Sequence, residues 1–390
     1  MDQADEAAAA AATVAAFAST LEGLAARDPD ATPPPVVTFW CGAGFSKAWD
    51  RCAPTDGELF HITADELDDF PNLRQLLAAT GWDAREAIDF EAFKTLGYAI
   101  DMQVRHPEIR HRHVDIHNLR LSIAEIRTLI HRRFRAACDI LPVDDASLRF
   151  PAPTEARQRA ILRFFRHLEE LAEGSGRDIR LPLFHFLTTN YDFTIETILD
   201  HIGDAPGPGV FGRLYRGVTP ARICGSTIWD HLPLTVGRSL IKVNGGFEIL
   251  RQGDGYHFDY RNRDDAAVRE APPLLILPSR MQSYTDPYFD EIFPKAVRLL
   301  RETDVLVIVG YSLPPEDALL RFILRHLAAN PESARGKSVF LIDTKPSEMI
   351  RQRLETVFFS IRRNGWPRTH YFAGQFEDFC QRVVDAAAAG

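Results

Sequence analysis

The stretch Leu183-Phe184-His185-Phe186-Leu187-Thr188-Thr189-Asn190-Tyr191-Asp192 decides how the chain is read. Leu183 to Thr188 is an apolar run of strand length, and its character changes abruptly at Asn190 and Asp192. Phe193, Ile195, Ile198 and Leu199 then recur at helical spacing, so the polar pair lies where a buried strand gives way to a helix. Ligands of open α/β sheets bind outside the carboxyl ends of strands, which makes this turn a candidate site. Both residue types also cap helices, and taken alone the turn needs no other explanation.

Working outward, the same transition recurs. Val36 to Trp40 reads as a buried strand and runs into Cys41-Gly42-Ala43-Gly44-Phe45-Ser46. Glycines after a strand allow a tight turn and let backbone N–H groups approach a phosphate, although a two-glycine loop is a weak signal. Val305 to Val309 is the clearest strand and ends in Gly310-Tyr311-Ser312-Leu313-Pro314-Pro315-Glu316-Asp317. Ser239 to Val243, Leu274 to Leu277, Ser338 to Asp343 and Thr369 to Phe372 read as further strands. Tyr256, Phe258 and Tyr260 alternate with polar residues as in a half-buried hairpin strand, and a helix is expected over Tyr288–Arg301. Alternating strands and helices predict a doubly wound, mostly parallel, Rossmann-like α/β sheet covered on both faces.

From Phe60 to Gly176 the spacing is helical, as in Leu121, Ile123, Ile126, Leu129 and Ile130, with no convincing strand. The chain therefore divides into an N-terminal helix and proline-rich linker (1–35), a sheet domain (36–59 with 177–390), and a helical insertion between the first two sheet strands (60–176). The N-terminal helix carries Val14, Phe17, Leu21 and Leu24 on one face. It opens with Asp2, Asp5 and Glu6, unlike a secretory signal, and no apolar run approaches the length of a membrane span. Five cysteines, Cys41, Cys52, Cys138, Cys224 and Cys380, contain no C-x2-C pair, so a cytoplasmic setting without zinc or disulfides is expected.

A net charge of -9 disfavours general nucleic-acid binding. Within it, the segment 105–135 is rich in arginine: Arg110, Arg112, Arg120, Arg127, Arg132, Arg133 and Arg135. A solvated basic face is the first reading, and contact with nucleic acid or a partner the second. His113 and His117 stand four apart on an expected helix, but no carboxylate or cysteine spacing completes a metal set, so no metal is expected.

In their order along the chain, Gly-Ala-Gly-Phe-Ser, Thr-Thr-Asn-Tyr-Asp and Gly-Tyr-Ser-Leu-Pro-Pro-Glu-Asp resemble the sirtuin-like NAD-binding domain family. More narrowly they look like its bacterial branch of NAD-consuming anti-phage effectors. The likeness covers about Val36 to Phe379, least specifically in the insertion. It implies that Gly42, Ala43, Gly44 and Ser46 cradle the cofactor's phosphates, with Phe45 and Thr189 also among the cofactor-binding residues. It further implies that Asn190 holds the nicotinamide ribose and a water, and that Asp192 engages the carboxamide. Gly310 and Ser312 would contact the phosphate or ribose region, and Asp343 the adenosine end. One departure matters: where the family has Lys-Leu-His-Gly, with the histidine as general base, this chain has Lys242-Val243-Asn244-Gly245-Gly246. Asparagine takes no proton at neutral pH, and general acid–base help is worth on the order of 10²–10⁴-fold. His185, His231 and His257 have better explanations than that of substitute base: a core residue, a loop residue and a solvated one.

The resemblance implies hydrolysis of NAD+ to nicotinamide and ADP-ribose by a defence effector held in check by oligomerisation or a partner. The alternative is a sensor or scaffold that binds NAD or ADP-ribose without turnover. Protein deacylation comes third, because it needs an acyl-lysine groove usually found beside a cysteine-bound zinc.

Overall fold

Strands β1 (Val36–Cys41), β2 (Leu183–Thr188), β3 (Ser239–Lys242), β6 (Val305–Val309), β7 (Ser338–Asp343) and β8 (Arg368–Ala373) form one six-stranded sheet in the order β3-β2-β1-β6-β7-β8. All neighbouring pairs are parallel. A small antiparallel hairpin, β4 (Ile249–Gln252) with β5 (Gly255–Phe258), stands apart. The computed structural model describes residues 3–27, 34–83, 86–109, 116–138, 142, 149–173, 182–202, 214, 216–217, 238–329, 331–345 and 347–389. His113, Cys224 and His231 lie outside them, as do Arg110 and Arg112.

Side chains of successive strand residues point to opposite faces, and both faces here are apolar. Val37, Phe39, Val305, Val307, Phe340 and Ile342 enter one core; Trp40, Leu306, Ile308, Val339 and Leu341 enter the other. Helices Gln3–Ala25, Ala43–Trp49, Ala156–Glu173 and Phe376–Ala389 cover the first face. Aromatic rings fill it, with Phe39 stacked on Phe186 at 5.4 Å and Phe17 edge-on to Phe340 at 5.0 Å. Helices Pro287–Glu302, Ala318–Leu324 and Ser347–Val357 cover the second through Ile292, Leu299, Leu320, Ile350 and Leu354. The expected doubly wound fold is present.

Three expectations need adjustment. Leu274–Ile276 is buried, with Leu277 half-buried, but the segment is no strand of the sheet: among the described residues its one bridge joins Gly245 and Leu275. Pro272, Pro273 and Pro278 flank it without N–H donors, which cuts the ladder short. The helix Ala156–Glu173 packs against Phe376–Ala389 and Ala43–Trp49, so it is the crossover from β1 to β2. The part of 60–176 that stands off the sheet ends before it. Finally, Ala7–Ala25 is long and apolar enough by composition to span a bilayer, contrary to the sequence reading. Its Phe17, Leu21 and Leu24 are buried in the first core, as the amphipathic pattern predicts.

The described arginines of the basic segment are largely held by the protein itself. Arg132 pairs with Asp69 (2.7 Å) and Asp265 (2.6 Å), Arg133 with Glu66 (2.7 Å), and Arg135 with Asp265 (3.0 Å). Arg127 donates to the Leu275 carbonyl (3.3 Å). These contacts fasten the insertion helix Ile116–Ala137 to the rest of the chain.

His185, at the centre of β2, is fully buried and accepts the Ser239 N–H at Nδ1 (3.1 Å). Burial pushes its imidazole down from 6.5 to about 4. A base depressed in the fold contributes stability that is intact above its unfolded value and lost as pH falls through 6.5 towards 4. His185→Gln should remove this part of the acid sensitivity, on the order of 3 kcal/mol at most. Urea unfolding at pH 7 and pH 4.5 measures it; an equal loss in variant and wild type would show that His185 does not titrate on unfolding.

Candidate functional site

The strand order reverses between β1 and β6, which run parallel, and there the loops after the two strands touch backbone to backbone. Gly42 N–H donates to the Val309 carbonyl (2.9 Å) and Gly44 N–H to the Gly310 carbonyl (3.1 Å). A Cβ on Gly44 would stand 2.6 Å from Gly310 Cα, and one on Gly42 would stand 2.6 Å from Gly310 O. Gly310 itself has φ +60°, in the left-handed region. These glycines let two loops meet, and the Gly44 N–H expected to face a phosphate is taken by Gly310. Phe45 turns away into the core, 5.3 Å from the Phe376 ring.

Ser46, Asn190 and Asp192 form a closed hydrogen-bonded group beside this contact. Asn190 Nδ2 donates to Gly42 O and to Ser46 Oγ, both at 2.8 Å. Ser46 Oγ donates to Asp192 Oδ2 (2.7 Å), while Asp192 Oδ1 accepts the Thr194 N–H (2.9 Å). The last contact meets the first residue of the following helix, so Asp192 also helps start it, whereas the Asn190 amide turns to Gly42 and Ser46. Thr188 Oγ1 accepts the Asn190 N–H (3.0 Å) and donates to Cys41 O (3.0 Å), tying the turn to β1. With Nδ2 used twice, Asn190 keeps Oδ1 as its unused acceptor among the described residues.

Below the turn lies a buried charge cluster that sequence reading missed. Lys242, at the end of β3, donates to the Asp192 carbonyl (2.6 Å) and pairs with Glu196 (2.9 Å) and Glu248 (3.0 Å). Its Nζ lies 4.8 Å from the Phe193 ring centroid. Burial raises the Glu196 carboxyl to about 7, with Lys242 opposing and Glu248 reinforcing the rise.

A cavity of about 190 Å³ opens over the group. Of the residues singled out from sequence, Ala43, Ser46, Thr189, Asn190, Asp192, Asn244, Gly310 and Ser312 line it. Gly42, Gly44 and Phe45 do not; they support the wall from behind. Asp343 does not line it either: it ends β7, where Oδ1 accepts the Lys345 N–H (3.0 Å). The opposite wall comes from residues that sequence reading passed over. The insertion contributes Phe60, Phe90, Lys94 and Phe134, and the segment after Leu277 contributes Pro278, Ser279 and Gln282. Tyr191, Tyr311, Glu316 and Asp317 complete much of the remainder. Burial opposes the charge of Lys94, but Glu91 (2.5 Å) and Glu316 (3.4 Å) hold its pKa above the ordinary value.

Asn244 sits at this cavity, 8% exposed, with its carbonyl accepting the Ile276 N–H (2.8 Å). The Tyr284 hydroxyl reaches its Oδ1 at 3.0 Å. No histidine is among the described residues lining the cavity. Burial, followed by Asp317, pushes the phenols of Tyr284 and Tyr311 well up, so both stay protonated and serve as donors. The Cys41 thiol is likewise raised, first by burial and then by Asp192, which leaves it inert. Among the described residues no cluster of three or more His, Cys, Asp or Glu could hold a metal ion.

No protein-family model matches the chain, and neither does any curated protein. Solved structures that resemble it include Sir2-family NAD-binding domains. One is a Sir2 homologue in complex with NAD, 13% identical, covering 95% of this chain and 93% of that one, with a TM-score of 0.39. Another, from a study of the mechanism and regulation of Sir2 enzymes, is 11% identical over 96% and 97% of the two chains, with a TM-score of 0.38. A third, Sir2 with a p53 peptide and NAD+, is 10% identical over 96% and 98%, with a TM-score of 0.39. Likenesses this loose assign neither ligand nor activity.

Gly44→Val would bring its Cβ to within 2.6 Å of Gly310 Cα, closer than two carbon atoms can pack. The two loops would have to part, at a cost of about 1–3 kcal/mol by the measure of overpacked cores. A fall in the urea midpoint is expected, and an unchanged midpoint would show that the loop contact contributes nothing.

Proposed function

We propose that this cavity binds NAD+ and that the chain is an NAD+ glycohydrolase, releasing nicotinamide and ADP-ribose. The observation that carries the reading is the hydrogen-bonded group Ser46–Asn190–Asp192, facing a cavity at the point where the strand order reverses. Doubly wound sheets take nucleotides at such a point. The residue types match the order of motifs that resembles the sirtuin-like family.

The chemistry suits this group. The nicotinamide–ribose C–N bond breaks with its electron pair moving to the ring nitrogen, which turns a pyridinium into neutral nicotinamide. No acid is needed for that departure. Positive charge develops on the sugar as in glycoside cleavage, and water then adds to C1′ and releases a proton. Asp192 supplies negative charge near the developing cation, while Asn190 offers Oδ1 to fix a ribose hydroxyl or the attacking water. Ser46, by bonding to both, holds the two in register. Only the late loss of the water's proton calls for a base, and that is the part Asn244 does not supply.

In this reading the chain is a bacterial defence effector that drains the cofactor, with an assembly or a partner gating the cavity. The insertion, which forms one wall, is the part of the chain such a gate would move. Asn244 favours a second reading, in which the cavity binds NAD+ or ADP-ribose without turnover and reports it to a partner.

Incubating wild type, Asn244→His and Asn190→Ala with NAD+, and following nicotinamide and ADP-ribose, separates the readings. Hydrolysis by wild type or by Asn244→His, lost by at least about a hundredfold in Asn190→Ala, is the expected outcome. Binding by wild type with turnover in none of the three would leave the sensor. Full turnover in Asn190→Ala would remove the group from the chemistry.

A further inference from the structure

The Tyr284 hydroxyl lies between two side-chain amides, 3.0 Å from Asn244 Oδ1 and 2.8 Å from Gln282 Oε1. Asn244 and Gln282 both line the cavity. A phenol has one proton and can donate it to one of the two oxygens. The other amide satisfies the phenol oxygen only by presenting its NH2 to it, which turns its own C=O towards the cavity. Whichever way the proton points, the trio offers the cavity one amide NH2 and one amide C=O.

The trio is held from all sides. The Tyr284 ring packs edge-on against Phe289 (5.2 Å) and Phe293 (5.1 Å), so its hydroxyl has a fixed position. Arg105, from the insertion, donates to Gln282 O (3.2 Å) and to Ser283 Oγ (3.3 Å). Asn244 is fixed through its carbonyl to Ile276, and Gly245 follows at φ +81°, where a Cβ would stand 1.9 Å from Leu274 O. Burial keeps the phenol protonated, so the shared proton stays in place at neutral pH.

We propose that Asn244, Tyr284 and Gln282 form a relay that recognises the primary carboxamide of the dinucleotide, with Tyr284 as the positioning residue; this takes the place of the Asp192 contact that the resemblance implies, since both Asp192 oxygens are engaged by Ser46 Oγ and the Thr194 N–H. This rests on the reading that NAD+ occupies the cavity. A carboxamide carries one donor and one acceptor end and matches such a pair in either sense. A carboxylate in its place has no donor, so it leaves one C=O of the relay opposed and unpaired. Sites built to hydrogen-bond a group discriminate strongly against an analogue that lacks it. Position 244 would then serve selection of the ligand, which accounts for an asparagine there.

The test is calorimetric titration of wild type and Tyr284→Phe with NAD+ and with nicotinic acid adenine dinucleotide, which carries a carboxylate for the carboxamide. Wild type is expected to prefer NAD+ by at least about tenfold. In Tyr284→Phe the preference should shrink to within about threefold, with the melting temperature measured alongside. A merely structural role for Tyr284 would weaken both ligands alike and keep the ratio, and that result overturns the relay. Equal binding of the two dinucleotides by wild type overturns it too. Binding of neither by wild type overturns the NAD+ reading of the cavity and the relay with it. Asn190→Ala, which does not touch the relay, should lose affinity for both ligands while keeping the ratio of whatever binding remains.

Discussion

Gly44 and Gly310 meet backbone to backbone at the middle of the sheet, with the Gly44 N–H on the Gly310 carbonyl at 3.1 Å. That contact sets how close the loops after β1 and β6 come, and so where the floor of the cavity lies. A Cβ on Gly310 would stand 2.4 Å from Gly44 Cα, so neither position has room for a side chain. The loop after β1 carries Ser46 on its first helical turns, and the loop after β6 carries Ser312, Glu316 and Asp317. Both walls therefore depend on a meeting of two residues without side chains.

The polar group at the end of β2 depends on the same frame from the other side. Asn190 reaches back to the carbonyl of Gly42, so its amide is oriented by the glycine turn itself. Lys242 holds the Asp192 carbonyl from below, with Glu196 and Glu248 around it, all fully buried. A buried ammonium with paired carboxylates is weak evidence of added stability, since desolvation offsets much of the attraction. Removing one partner strands the others, however, so the cluster fixes the geometry of the turn even where it adds little to stability.

The sheet was readable from the chain because each central strand is buried on both faces and appears as a nearly continuous apolar run, interrupted by Thr38 in β1 and His185 in β2. The same signal misled at Leu274–Leu277, where burial is real but flanking prolines deny a ladder. Asn190, Asp192 and Ser46 stood out because they interrupt apolar patterns at strand ends. Tyr284, Gln282 and Lys94 did not, since a tyrosine after a loop or a lysine on a helix carries no local mark of facing a cavity. The glycines were noticed for a phosphate, whereas their first duty is towards each other. Spacing along the chain shows that a side chain is missing, and only packing shows what fills the space.

Apart from Leu274–Leu277, local pattern alone thus marked the strands of the parallel sheet and the turns that bear polar groups, because periodicity and burial are properties of neighbouring residues. The folded chain decided the strand order, the meeting of the β1 and β6 loops, and the identity of Ala156–Glu173 as a crossover helix. It also decided that an insertion closes one wall and that Asn244 faces Tyr284 and Gln282. These are contacts between segments far apart in sequence, and such contacts depend on three-dimensional packing that no local period encodes.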